Sequence, residues 1–372
     1  MLYFILRPLI RLALQVYFRK IYLHGLEHIP ASGPLILACN HPSAFFEGCL
    51  LACYQPRSLY FMVRGDVFVK PFYRRLLVAL HQIPIYRFVD GFANLRHNPS
   101  TMAASYEVLA QGKTILIFSE GRTIYEKKLQ PIQKGTARMA FGAMEQMKLP
   151  DIPIVPVGVN YTYFNVFRSE VMINFGPPIQ AKSYYDPSFP PQNADIVALT
   201  NELEHRLKAL TINVADSANE PLFNRLAATH RPPSFTAPWP AVIYGQEAFH
   251  HELAIAERVN HGTSFTPSVP VIKVAWWKKI PYYILSLFWV IPFYGGKRIA
   301  DHRVNSAPFY GPVWFAVSTL LSVLQWIILT IAAILCWGWK GIPLIIILLL
   351  VSYLALLLQD KPWHPDETKP KW

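Results

Sequence analysis

Asn40-His41-Pro42-Ser43-Ala44-Phe45-Phe46-Glu47 follows directly on the apolar run Leu35–Cys39, and this junction decides how the chain reads. Five apolar residues in a row have the length of a buried strand, and Phe46–Tyr54 has the spacing of a helix that packs back on it. Pro42 suits the first helical position, so the spacing predicts His41 at a helix mouth and Glu47 in its second turn. An imidazole and a carboxylate within one short strand-to-helix segment can act as a base and its orienting partner.

The same alternation extends outward on both sides. Predicted strands are 34–39, 59–63, 114–118, 154–159 and 171–175; predicted helices are 46–54, 71–80, 100–111, 134–147 and 194–210. Gly112 and Pro153 mark a helix stop and a strand start. A second informative stretch, Phe118-Ser119-Glu120-Gly121-Arg122-Thr123, leaves the run 114–118 much as His41 leaves its own strand. There a glycine-bearing turn and a guanidinium can meet an anion. Together the two stretches point to an acceptor hydroxyl losing its proton beside a bound phosphate.

Of the 372 residues 52% are hydrophobic and only 16% charged, and the net charge is +12. Such a chain is drawn to anionic surfaces, nucleic acid or phospholipid. Zinc-finger spacing, an RNP-type aromatic motif and a helix-turn-helix are all missing from the sequence, so nucleic acid is not the expected partner and membrane phospholipid is. Cys39, Cys49, Cys53 and Cys336 form no paired framework and read as reduced apolar side chains. His250, His251 and His261 lack a carboxylate or cysteine at ligand spacing, so no metal is expected. Asn160-Tyr161-Thr162 matches a glycosylation acceptor only by its letters.

Residues 1–23 read as an amphipathic helix at the membrane interface, with Arg7, Arg11, Gln15 and Arg19 recurring every four residues among apolar neighbours. A transmembrane anchor is the alternative, opposed by the cost of arginine at bilayer depth. Residues 24–210 form the expected α/β domain. Residues 211–275, rich in proline, read as a connector or insert with one helix near 241–259 and no chemistry of its own. Residues 276–303 read as an interfacial or re-entrant segment, its stretch 281–296 interrupted by Pro292 and followed by Lys297, Arg298 and Arg303. Residues 304–360 carry two uncharged runs separated near Lys340; the second, at 1.5 Å per residue, spans roughly 28 Å, enough for the hydrocarbon core. They are expected to form a transmembrane hairpin, with 361–372 as a polar tail. The basic segment 297–303 places the catalytic part on the cytoplasmic side of the membrane, and the N-terminal run lacks the small-residue cleavage site of a signal peptide.

Acyl transfer to an alcohol needs a base for the attacking hydroxyl and a carboxylate to hold the base's tautomer, as in the serine hydrolase triad without its serine. With these residues in view, the chain resembles the glycerolipid acyltransferase superfamily, the PlsC-like glycerol-phosphate and lysophosphatidate acyltransferases. The resemblance runs over about residues 20–210. Asn40-His41 matches the family's Asn-His-x4-Asp, with Glu47 in place of Asp and one residue further on. Ile83-Pro84-Ile85-Tyr86-Arg87 resembles the second motif, with Arg64-Gly65-Asp66 upstream. Phe118–Thr123 resembles Phe-Pro-Glu-Gly-x-Ser without its proline and with Thr for Ser, and Lys134-Gly135-Thr136-Ala137 resembles the Lys-Gly-Ala stretch. Ile154-Val155-Pro156-Val157 matches the fourth motif, and Phe175-Gly176-Pro177-Pro178 the strand exit that follows it.

The resemblance implies a central, mostly parallel or mixed sheet flanked by helices, with His41 as general base and Glu47 as its orienter. It implies that Arg87, Glu120, Gly121, Arg122, Thr123 and Lys134 bind the acceptor and its phosphate. Arg87 as a strand cap, and Lys134 as part of a solvated helix face, remain open, as does whether Tyr161, Tyr163 and Phe164 line an acyl groove or the core. It further implies an acyl-CoA or acyl-carrier-protein co-substrate and no other cofactor. The expected acceptor is 1-acyl-glycerol-3-phosphate, with glycerol-3-phosphate or another lysophospholipid as the alternative. A catalytically degenerate lipid-binding scaffold is the alternative of another class.

Overall fold

The structure, a computed structural model, describes residues 2–68, 70–85, 98–163, 165–186, 188–229, 241–262, 280 and 287–357. A nine-stranded sheet organises the molecule. Its strands are β1 (Lys20–His24), β2 (Leu35–Cys39), β3 (Leu59–Arg64), β4 (Gln82–Ile85), β5 (Thr114–Phe118), β6 (Pro153–Tyr161), β7 (Glu170–Phe175), β8 (Ile179–Gln180) and β9 (Val242–Tyr244). The order is β4-β3-β5-β2-β6-β7-β1-β9, with β8 beside β6. Pairing is parallel except where β6 meets β7 and β8.

Strands β2 and β6 are apolar because helices cover both sheet faces, as parallel strands require. Leu35, Leu37 and Cys39 pack on one face with Val155, Val157 and Val159. There they meet Leu14 and Phe18 of the N-terminal segment and Phe46 and Leu50 of the helix after β2. Ile36 and Ala38 point the other way, into a cluster with Leu109, Phe141, Met144, Leu199 and Leu203. The two-residue period of the strand thus divides one short run between two cores.

The helices in chain order are α1 (Leu2–Tyr17), α2 (Phe46–Tyr54), α3 (Pro71–Ala79), α4 (Asn98–Ala110), α5 (Gly135–Met147), α6 (Asn193–Leu210), α7 (Glu220–Thr229), α8 (Glu247–Asn260), α9 (Val290–Arg303), α10 (Ala307–Trp337) and α11 (Gly341–Leu357).

Several expectations need correction. The helix expected over 1–23 stops at Tyr17, and 20–24 is strand β1, paired in parallel with β7 and β9. Arg168 stops it: its guanidinium donates to the carbonyls of Gln15, Val16 and Phe18, a cationic cap on a helix C-terminus. The basic stripe of α1 lies toward α2. Arg7 donates to the Gln55 carbonyl and Arg11, though exposed, lies over the Tyr54 ring, while the apolar Phe4, Ile5, Leu9 and Leu12 are exposed as well. Within 211–275, read as a connector or insert with one helix, the described residues 211–229 and 241–262 hold two helices and a strand. These are edge strand β9 and helices α7 and α8, whose Phe223 and Phe249 build a core with Met172 and Ile212.

Within 276–303, α9 is a regular helix lying antiparallel on α10, with the Trp314 indole donating to the Phe293 carbonyl and the Tyr310 hydroxyl to Asp301. Helix α11 folds back along α10 after the turn at Gly338–Lys340 and returns to α1. Ala307–Ala355 is the one stretch among the described residues long and apolar enough to cross a membrane, and only 6% of its most apolar window is buried. A core helix of a soluble domain would be mostly covered.

Candidate active site

The site sits where β2, β5 and β6 end, three neighbouring strands whose carboxyl ends open a crevice of the kind in which α/β sheets bind ligands. Asn40 closes the end of β2 onto β6. Its amide donates to the Val159 carbonyl (3.0 Å) and accepts from the Val159 N–H (2.8 Å), extending the ladder by one side chain. The chain then turns away, so the next residue, His41, stands clear of the sheet.

The helix does not begin at Pro42. Residues 42–45 form bends and α2 starts at Phe46, so Glu47 lies in the first helical turn rather than the second. The N–H groups of the turn have partners outside a helix. Ser43 donates to Glu47 Oε1 (2.9 Å) and Ala44 to the Pro308 carbonyl at the start of α10 (3.2 Å). That carbonyl is available because Pro312, four residues on, has no N–H to offer it.

Glu47 is completely buried. Its Oε1 accepts from Ser43 and from the Tyr161 hydroxyl (3.0 Å), and its Oε2 lies 3.3 Å from His41 Nδ1. An ionised carboxylate only accepts, so Nδ1 carries the hydrogen and Nε2 keeps its lone pair. The longer glutamate reaches the ring across the extra residue of spacing. The imidazole stacks on Phe118 at 3.9 Å and 11°, which fixes its plane, and its side chain remains 13% exposed. Tyr161 therefore belongs to the core and to the site at once. Its role was invisible in the sequence because the partner, Glu47, lies 114 residues away.

Glu120 is 3% exposed and its carboxylate is taken up by backbone: Oε2 by the His41 N–H (2.8 Å) and Oε1 by that of Gln130 (2.9 Å). Desolvation raises its pKa, and the two donated hydrogen bonds partly oppose that shift. The carboxylate expected to bind acceptor thus ties the second stretch to the first. Gly121 turns with φ of 68°, and a Cβ there would press on Gln133 Cγ at 3.0 Å. The serine in the proline's place bonds Thr136 Oγ1 (3.0 Å).

Arg122, two residues after the Glu120 that is bonded to the His41 turn, is exposed and makes no hydrogen bond or ion pair among the described residues, which leaves its guanidinium free for an anion. Thr123 is half-buried beside it. Lys134 reaches instead to Asn193 at the start of α6 (3.1 Å). Arg87 lies outside the described residues. One cation that the reading of the sequence passed over is Lys127, buried, donating to the carbonyls of Tyr161 and Thr162 and lying 5.0 Å over the Phe223 ring. With Asn40, Pro42 and Glu120 it lines a recess of about 20 Å³, room for little more than a water molecule.

The start of α10 packs against the turn that follows His41. The Asn165 amide donates to the Ala307 carbonyl and accepts from Gly311 N–H, both at 3.0 Å, so one side chain bridges the first turn of the helix. A Cβ at Gly311 would lie 2.7 Å from Asn165 Oδ1 and 3.3 Å from Phe46 Cε2. No cluster of potential metal ligands occurs among the described residues.

The chain is similar in part to known proteins. An acyltransferase-family model matches residues 20–160. The chain is 32% identical over 117 residues to glycerol-3-phosphate O-acyltransferase 1 of Saccharomyces cerevisiae, which covers 30% of this chain and 15% of the relative. To glycerol-3-phosphate O-acyltransferase 2 of the same yeast it is 26% identical over 153 residues, covering 41% and 21% respectively. The chain therefore spans a minor part of the length of these relatives. Among solved structures, the 1-acyl-sn-glycerophosphate acyltransferase PlsC of Thermotoga maritima aligns over 55% of this chain and 77% of its own, at 15% identity and a TM-score of 0.40. Over residues 20–160 this chain is therefore similar to the acyltransferase family, and in part to the two yeast glycerol-3-phosphate O-acyltransferases.

Proposed function

We propose that the protein transfers a fatty acyl group from an acyl thioester, acyl-CoA or acyl-carrier protein, to a hydroxyl of a phosphorylated glycerol acceptor at a membrane. The observation that carries this reading is the partly open His41 imidazole, backed by buried Glu47, with Glu120 joined to the His41 N–H two residues before the unpaired Arg122. Nε2 takes the acceptor's proton as its oxygen attacks the thioester carbonyl; the C–S bond then breaks and the imidazolium returns the proton to the departing thiolate. Glu47 holds the Nδ1–H tautomer and stabilises the transient imidazolium. A thiolate is a good leaving group, so the reaction needs neither a metal nor a covalent enzyme intermediate. Arg122, with Thr123 and Arg87, meets the acceptor phosphate, for which a planar guanidinium is well shaped. Glu120 and Lys127 act as positioning residues that hold the His41 turn and the end of β6.

Glycerol-3-phosphate is the preferred acceptor, on the names of the two yeast relatives. 1-Acyl-glycerol-3-phosphate is the second reading, favoured by the apolar helix α10, which packs against the turn that follows His41. The α10–α11 hairpin spans the bilayer with both of its ends on the side of the catalytic domain, the cytoplasmic side by its neighbouring basic residues Lys297, Arg298 and Arg303. Incubating the purified protein with labelled palmitoyl-CoA and each acceptor separately, with product identification by mass spectrometry, tests the proposal. Product with neither acceptor would count against it and favour a lipid-binding scaffold.

A further inference from the structure

Helix α1 and the helices α9 to α11 enclose an open groove of about 660 Å³, within the size range of small-ligand sites. Its walls include Leu12, Val16, Phe315, Ile327 and Leu350, and no charged side chain lines it among the described residues. The hydroxyls of Thr319, Ser322 and Thr330 donate to carbonyls of their own helix at 2.7–2.8 Å, so they present an apolar surface. Tyr17 Oη, Ser318 Oγ, Trp289 Nε1 and Trp326 Nε1 behave differently. All four line the groove and are buried without a hydrogen-bond partner among the described residues. Buried donors normally find acceptors, so a groove holding several unmatched ones is suited to a ligand that is apolar along its length and carries oxygens.

The inner end of the groove packs against Phe46 at the start of α2. The Tyr17 and Phe315 rings lie 4.8 and 5.4 Å from that of Phe46, the residue before Glu47. The Tyr17 hydroxyl is 3.1 Å from the position a Gly311 Cβ would take, at the turn of α10 bonded to Ala44. Tyr17 thus lines the groove while its ring touches Phe46 and its hydroxyl lies against Gly311.

We infer that the groove holds the acyl chain of a monoacyl glycerol phosphate, with the Tyr17 hydroxyl donating to its ester carbonyl and the glycerol phosphate lying beyond Phe46, toward His41 and Arg122. This rests on the proposed reading, in which that molecule is either the acceptor or the product. A groove without cations takes only the tail of its ligand. Its flanks, the exposed Leu9 and Leu12 and the faces of α10 and α11, are apolar, so the tail enters sideways from the bilayer. The ligand is thus a bilayer glycerolipid rather than the thioester of a water-soluble carrier.

A lysophosphatidate with a diazirine near its chain end, photolysed with the full chain in dioleoyl-phosphatidylcholine nanodiscs, tests the inference. Adducts are expected on α1 near Leu12–Val16 and on α10 near Thr319–Ile327. Excess unlabelled lysophosphatidate should reduce them about tenfold, whereas the host lipid does not. Thr319→Trp, which fills the groove, should cut labelling about tenfold, and Tyr17→Phe should raise the half-competing concentration by roughly three- to tenfold for one lost hydrogen bond. Adducts competed by palmitoyl-CoA but not by lysophosphatidate, adducts competed by neither, or adducts confined to other helices would each overturn it. The wild-type competition needs no variant to fold. Labelling also needs no turnover, so a protein that binds here but transfers no acyl group refutes the proposed activity and leaves the groove assignment standing.

Discussion

Replacing Glu47 by glutamine tests the His41–Glu47 pair with little change of volume. Glutamine keeps one carbonyl oxygen, which can still accept from Ser43 N–H and from the Tyr161 hydroxyl, since both now converge on Oε1. The amide NH2 then faces His41 Nδ1, where the carboxylate oxygen stood at 3.3 Å. An NH2 group only donates, so Nδ1 must accept and the hydrogen moves to Nε2, the nitrogen that should take the acceptor's proton. The charge is lost as well. At an effective dielectric of about 20, unit charges 3.3 Å apart attract by about 5 kcal/mol, so a half-developed imidazolium loses about 2.5 kcal/mol, close to two decades in rate. The wrong tautomer adds to this; the analogous change in a serine protease triad costs about four decades. The expected result is a fall in kcat of about 10²- to 10⁴-fold with the acceptor KM within about threefold of wild type. The assay is steady-state acyl transfer in detergent or nanodiscs, with denaturant unfolding to verify the fold. A kcat within threefold of wild type would refute the reasoning and remove Glu47 from the mechanism.

Three further outcomes follow from the same contacts. Tyr161→Phe removes a buried donor to a charged acceptor, and should lower stability by about 1.5–3 kcal/mol and slow transfer several-fold; chemical denaturation and initial rates check both. Gly311→Ala forces a methyl into Asn165 and Phe46, and should cost about 1–3 kcal/mol while lowering kcat, because the displaced turn of α10 is hydrogen-bonded to Ala44. An unchanged rate would uncouple α10 from the His41 turn. Glu120 holds its proton to higher pH when folded than when unfolded, because its folded pKa is raised. The folded state then binds more protons just above the ordinary glutamate range, so this group's contribution to stability falls as pH rises through its folded pKa. Glu120→Gln should remove that part of the decline, read from unfolding midpoints between about pH 4 and 7; equal slopes in the two proteins would contradict the assignment.

Much of this architecture is legible in the chain because its signals are local. Runs such as 35–39 and 115–118 are apolar without interruption since both sheet faces are covered, and the helices between them keep their period. The end of α1 is not legible. What stops it is Arg168, whose guanidinium arrives from about 150 residues away to cap carbonyls that the local sequence leaves looking helical. The direction of the arginines on α1 is hidden for the same reason: their partners, Gln55 and Tyr54, belong to α2. At the site, His41 and Glu47 lie six residues apart and the motif shows them together. The true start of α2 was missed because Pro42 is an equally good first helical residue, and only the bonds from Ser43 to Glu47 and from Ala44 to Pro308 hold the turn open. Glu120 reads as an acceptor ligand because a carboxylate beside a glycine and an arginine looks functional, and its backbone donors lie 79 residues before it and 10 after. Strand β9 is three residues long at a sheet edge and leaves too short a pattern to stand out.

The most direct test of the account is the rate of acyl transfer from palmitoyl-CoA to glycerol-3-phosphate and to 1-acyl-glycerol-3-phosphate by wild type and by His41→Ala, measured side by side at equal folded concentration. The account expects acylated product from the wild type with at least one acceptor, and a loss of about 10²- to 10⁴-fold in the variant, the usual worth of a positioned general base. Product formed at an undiminished rate by His41→Ala would contradict it.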